Sequence, residues 1–174
     1  MALQRTQFFW RLTGGETKVT GGATIYYPIN RSLTRTLNDG TGIGAAQKVV
    51  TIIDSTTSAY SVVTGSVSDI NLTSLTGPFG TVNMTAVKGI LLVNKAAATN
   101  TTHTITMFGA TASAFVGPLG GSNQTLVVQP GAAVLLLNDQ AGGWTTSSQN
   151  NLRLRGGAGT NSVSYDLHII GLGS

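Results

Sequence analysis

From Lys48 onward the chain is a succession of short β-branched and aliphatic runs, each closed by glycine, proline, asparagine or aspartate. Val49-Val50-Thr51-Ile52-Ile53 is almost wholly β-branched, and Thr81–Val87 alternates apolar with polar residues before Ile90-Leu91-Leu92-Val93. Tyr60–Val63, Ser66–Leu72, Thr102–Phe108, Thr125–Gln129, Ala132–Leu137, Trp144–Ser147, Asn151–Arg155 and Ser162–Ile170 continue the series. In Ser66–Leu72 the spacing places Val67, Ile70 and Leu72 close to one face. Gln129-Pro130-Gly131 and Asn138–Gly143 are clear turns. No stretch has the 3.6-residue period of an amphipathic helix, and Lys88–Ala98 reads as a strand running into a loop. Eight to ten short strands at this spacing predict an all-β fold, an antiparallel β-sandwich or jelly roll over residues 46–174. No fixed internal period suggests a solenoid or propeller.

Composition limits what such a sandwich does. Only 16 of 174 residues are charged, 9% against roughly 25% in an ordinary soluble domain, while Gly, Ser, Thr and Asn supply 74 positions. A chain this poor in charge suits a building block that buries much of its surface against other proteins. The absence of cysteine excludes disulfides, thiolate metal sites and cysteine nucleophiles. No signal-peptide core and no run of 18 apolar residues is present, so synthesis in a cytoplasm without a membrane span is expected.

The net charge of +4 sits in residues 1–38, within a region, 1–45, expected to form an extended basic N-terminal arm. Arg5, Arg11, Lys18, Arg31 and Arg35 oppose a single Glu16 before Asp39, and the body that follows is neutral. Nucleic-acid binding by the whole domain is therefore not expected. Phe8-Phe9-Trp10 is a dense aromatic knot between Arg5 and Arg11, and Ile25-Tyr26-Tyr27-Pro28 is a second short extended piece. Aromatic residues beside arginine make good interface anchors. Arg5, Phe8, Phe9, Trp10, Arg11, Arg31 and Arg35 are accordingly the candidate partner-binding residues, although the aromatics would equally cover the base of the protein's own sandwich. Asn38-Asp39-Gly40, with Gly42 and Gly44, ends the arm as a turn.

Catalytic readings find little support. Asp166 and His168 share one strand face, but no Gly-x-Ser-x-Gly elbow supplies a nucleophile, so they are expected as outward polar residues. Two isolated histidines, His103 and His168, and scattered aspartates offer no metal-ligand spacing. Gly40-Thr41-Gly42-Ile43-Gly44 precedes a β-branched strand rather than opening a helix, which excludes a dinucleotide fingerprint. Arg153 and Arg155 lie on one strand face without interleaved aromatics. The chain is not expected to be an enzyme or to carry a cofactor or metal.

One ordered series remains: Leu37-Asn38-Asp39-Gly40-Thr41-Gly42, Lys48-Val49, Ser68–Leu72, Phe79-Gly80-Thr81-Val82 and Val87-Lys88-Gly89-Ile90. It continues through Gln129-Pro130-Gly131, Leu135-Leu136-Leu137, Gly143-Trp144, Leu152-Arg153-Leu154 and Ser164-Tyr165-Asp166 to Ile169-Ile170-Gly171. This series, over residues 35–174, resembles small tailed-bacteriophage virion proteins that decorate or cement the head shell. The resemblance implies a β-sandwich, commonly trimeric, seated on the outer capsid surface with the major capsid protein as partner. It implies no catalytic residues. The rival expectations are a tail, fibre or head-spike component, a carbohydrate-binding sandwich stacking sugars on Trp144, Tyr26 and Tyr27, and a hydrolase using Asp166 and His168.

Overall fold

The computed structural model describes residues 5–20, 23–53, 61–63, 67–77, 80–109, 113–121, 124–157 and 162–173. The protein is all-β: the described residues form fifteen strands and no helix, where the sequence spacing had suggested eight to ten. The surplus comes from very short edge strands and from the N-terminal region, which is paired rather than merely extended.

Strands β1 (Arg5–Thr20) and β2 (Ala23–Asp39) form one antiparallel hairpin with unbroken register from Arg5↔Asn38 to Thr20↔Ala23. At roughly 3.4 Å per residue its sixteen-residue first strand spans about 54 Å. The two-residue β3 (Ala45–Ala46) runs parallel to the end of β2 and is its only other ladder partner among the described residues. Between them the chain turns at Gly40 and Gly44, whose φ angles of 136° and 64° favour glycine.

The body is a sandwich of two sheets. One has the order β12 (Ala133–Leu137), β9 (Met84–Asn94), β15 (Ser162–Gly173), β4 (Lys48–Ile53), with β13 (Trp144–Thr145) extending the β12 edge and β5 (Ser61–Val63) the β4 edge. The other has the order β11 (Thr125–Val128), β10 (Ile105–Gly109), β14 (Asn151–Gly156), β6 (Val67–Asn71). The small hairpin of β7 (Leu75–Gly77) and β8 (Gly80–Val82) joins β6 to β9. The main pairings are nested: β4 with β15, β6 with β14, β9 with β12, β10 with β11, all antiparallel. Such nesting is an eight-stranded hairpin rolled so that its strands alternate between two layers.

Period-two alternation fills the core between the layers. Val163, Tyr165, Leu167 and Ile169 of β15, Ile90 and Leu92 of β9, Ile105 and Met107 of β10, and Leu152 and Leu154 of β14 are all buried together, with Leu72, Met84 and Phe115. Asn94 is the polar exception. Its amide donates to the carbonyls of His103 (2.8 Å) and Val128 (3.1 Å) and accepts from Ala96 N–H (3.0 Å), so its burial carries no unmet hydrogen bond. One expectation is corrected: Val67 does not share a face with Ile70. It is 49% exposed and alternates with it, because β6 is a regular strand and residues three apart in one point to opposite sides. Tyr60, placed in a strand by the sequence, lies outside the described residues.

Candidate functional site

The two outer faces of the sandwich differ in chemistry. On the four-stranded sheet, the outward positions carry Thr106, Asn151, Arg153, Arg155, Asp69 and Asn71, together with Val67 and Val127, which are 49% and 48% exposed. Arg153 and Asp69 face each other across β14 and β6 in a bidentate pair, Nε to Oδ1 and Nη2 to Oδ2, both 2.5 Å. This hydrogen-bonded arginine holds the Asp69 carboxyl below the usual carboxylate range.

On the six-stranded sheet, residues alternating with the core ones are largely apolar. Leu91, Val93, Leu135, Leu137, Val49 and Ile170 share this face with Asp166 and His168. Leu135 and Val49 remain 37% and 38% exposed, so the face is not covered within the chain. Asp166 and His168 are outward residues of β15, as expected. Asp166 Oδ1 lies 3.5 Å from Lys95 Nζ, and among the described residues this buried oxygen accepts no hydrogen bond.

The arm is rooted on this apolar face. Leu37 is buried with Ala46 and Ile170, and Phe8 packs against them. Gly89 makes room: a Cβ there would stand 3.1 Å from Leu137 Cδ2 and 3.4 Å from Phe8 Cζ. In the hairpin register, Phe8, Trp10, Leu12, Leu33 and Leu37 occupy one face and Gln7, Phe9, Arg11, Thr34 and Thr36 the other. On the same face, Leu33 is 49% exposed. A cleft of about 450 Å³ separates Leu33–Leu37 from Lys88, Leu137 and Asp139.

Lys88 closes the inner end of that cleft. A register shift leaves it as the extra residue of β9, between Val87 opposite Gly171 and Gly89 opposite Ile170. The bulge turns its side chain beneath two loops, where it is fully buried and Nζ donates to the carbonyl of Gln140 and, at 3.4 Å, to that of Gly42. Burial pushes the ammonium below its usual lysine value, opposed by the nearby Asp139 carboxylate. Gly44 N–H also donates to Asp139 O at 2.8 Å, so the turn at the arm's base and the 138–143 loop form one locked unit.

The candidate binding residues divide accordingly. Phe8 is part of the protein's own packing, whereas Phe9 is 65% exposed with Arg11 exposed on the same face, and Arg35, the cross-strand partner of Phe8, is exposed on the other. Backbone register places Arg5, Trp10 and Arg31 in the hairpin, but their side chains lie outside the described residues, as do those of Tyr26 and Tyr27. Trp144 does not offer an open sugar platform. It packs against the main core and over Gly117, where a Cβ would stand 2.6 Å from that of Trp144. The sequence reading missed the apolar outer sheet face and the buried Lys88. The face was legible as outward aliphatics in β9 and β12; Lys88 depends on a bulge with no sequence signature of its own. Among the described residues no group of three or more His, Asp or Glu stands close enough to hold a metal. No protein-family model, curated protein or solved structure matches the chain.

Proposed function

We propose that this chain is a bacteriophage structural protein, a decoration or cement protein that binds the outer surface of the assembled head and stabilises it. The observation that carries the reading is the rooted, basic hairpin arm, which projects exposed Phe9, Arg11 and Arg35 from a charge-poor sandwich. Such an arm suits gripping a neighbouring protein surface by aromatic burial and guanidinium hydrogen bonds. The nested strand pairing supports the reading as well, since jelly rolls wound in two Greek keys recur in viral capsid domains.

The mechanism is thermodynamic. A protein that binds only the assembled lattice stabilises it by mass action against the pressure of packaged DNA, and an oligomer with several weak sites gains by avidity. The partners are the major capsid protein and other copies of this chain, a trimer by the resemblance. Mass spectrometry and labelled electron microscopy of purified virions test the proposal. The protein is expected over the whole head, and heads lacking it should release DNA at a lower temperature. Its absence from virions, or equal heat resistance without it, would overturn the reading. Labelling confined to the tail would favour the fibre alternative.

A further inference from the structure

We infer that the cleft between the hairpin arm and the body binds an extended segment of a partner protein, which adds to the open edge of β2 as a further strand. The inference uses the geometry of the cleft alone and stands without the head-binding reading.

The hydrogen-bond phase of β2 shows what its edge offers. Asn38 N–H donates to Gly44 O at 3.0 Å and Gly40 N–H to Ala46 O at 3.2 Å, so even-numbered residues at this end aim their backbone groups away from β1. The register with β1 is unbroken, which carries the same phase outward through Thr36 and Thr34 to Pro28. β3 meets β2 only at Asn38 and Asp39, and among the described residues the outer edge beyond them has no ladder partner. Pro28 has no N–H to give, so the usable edge lies between it and the body.

The cleft lies along that edge. Five consecutive residues, Leu33–Leu37, line it, with Gly44 beside the start of β3. Neighbouring strand residues point to opposite sides, so a cavity touching all five meets the backbone edge as well as one row of side chains. At roughly 3.4 Å per residue the five span about 17 Å, and a volume of about 450 Å³ is within the usual range of ligand clefts. The far wall is Leu137 and Asp139, with Lys88 already engaged by the Gln140 and Gly42 carbonyls. Leu33 and Leu137 supply apolar contact, and Arg35 and Asp139 supply one charge of each sign. The segment that fits therefore alternates aliphatic with polar residues and needs no net charge; its main-chain bonds supply affinity and its alternate side chains specificity. A tail or loop of another protein suits this slot better than a second copy. Adjacent strands lie about 4.8 Å apart, so the walled place beside β2 takes one strand and not a sheet. Every described strand of this chain is already held in a ladder, so a second copy would have to strip one from its own sheet. A two-stranded ribbon is at best marginally stable in water, and an added strand stabilises the arm as it binds.

Nuclear magnetic resonance titration of the isotope-labelled full chain with a capped Lys-Thr-Val-Thr-Val-Thr peptide tests this. The Thr34 and Thr36 amide signals should shift saturably below about 1 mM peptide, and their hydrogen exchange should slow. The same peptide N-methylated throughout has no main-chain donors and should bind about tenfold more weakly or worse. Thr34→Pro removes an outward donor without touching the β1 ladder and should weaken binding by a similar factor, whereas Thr34→Val should not. Should Thr34→Pro fail to fold, the comparison of the two peptides on the unmodified chain carries the test. No shift at Thr34 and Thr36, equal binding of the N-methylated peptide, or equal binding by Thr34→Pro with an unchanged circular dichroism spectrum would overturn the inference. Protection of the same two amides that rises with protein concentration, without peptide, would place a second copy in the slot and overturn it too.

Discussion

At the scale of single residues, Lys88 sets two opposing effects against each other. Its burial removes an ammonium from water, and its bonds to the Gln140 and Gly42 carbonyls offset that cost while tying two loops together. Replacing it by methionine should cost about 1 kcal/mol at neutral pH and speed amide exchange at Gly44, whose N–H bonds Asp139 O across the same junction. The sign of the pH effect follows from its lowered folded pKa. Unfolded chains hold the Lys88 proton up to about pH 10.4, the ordinary lysine value, so the native state gains as pH rises towards it. Thermal melts should show the unmodified protein gaining on Lys88→Met as pH rises from 8 to 10. Asp69, whose pKa is likewise lowered by folding, acts in the same sense at lower pH. Its depressed pKa contributes stability above the ordinary carboxylate value, lost as pH falls through the folded pKa. A small drop in melting temperature below about pH 4, absent in Asp69→Asn, is expected.

At the scale of elements, the arm and its seat decide more than any one side chain. Gly89→Val would push a branched side chain into the space of Leu137 and Phe8. Overpacking of this kind should cost about 1–3 kcal/mol, and limited proteolysis should cut faster between Thr36 and Gly44 as the arm lifts. Leu167→Ala, by contrast, opens a cavity between the layers and should cost about 2–5 kcal/mol without freeing the arm selectively. These elements were not equally legible. Strands β9, β10, β12 and β15 could be read from Ile90-Leu91-Leu92, Ile105/Met107, Leu135–Leu137 and the Val163–Ile169 alternation, since a sandwich core imposes that period. The hairpin was harder to read. Phe8, Trp10 and Leu12 do alternate, but Phe9 fills the gap between two of them, and Gly14-Gly15 and Pro28 read as breaks. An antiparallel partner supplies the hydrogen bonds that local propensity does not announce. The seven candidate binding residues all fall in this hairpin, yet only pairing shows that Phe8 faces inward and Phe9 outward.

At the scale of the whole molecule, the nested pairing has a consequence for how the protein is made. β15 is the last described strand, and it lies between β9 on one side and β4 and β5 on the other. The six-stranded layer therefore lacks its central member until Ser162–Gly173 has left the ribosome, and the earlier strands wait with open edges. Pairings this distant in sequence close slowly, and unpaired edges attract wrong partners in the interval. A chain ended after Gly157 should consequently collect in aggregates, with no cooperative melt by circular dichroism. Abundant synthesis would then be limited by the time between the first strand's emergence and the last one's, and a host chaperone that shields the β9 edge would raise the yield of native protein.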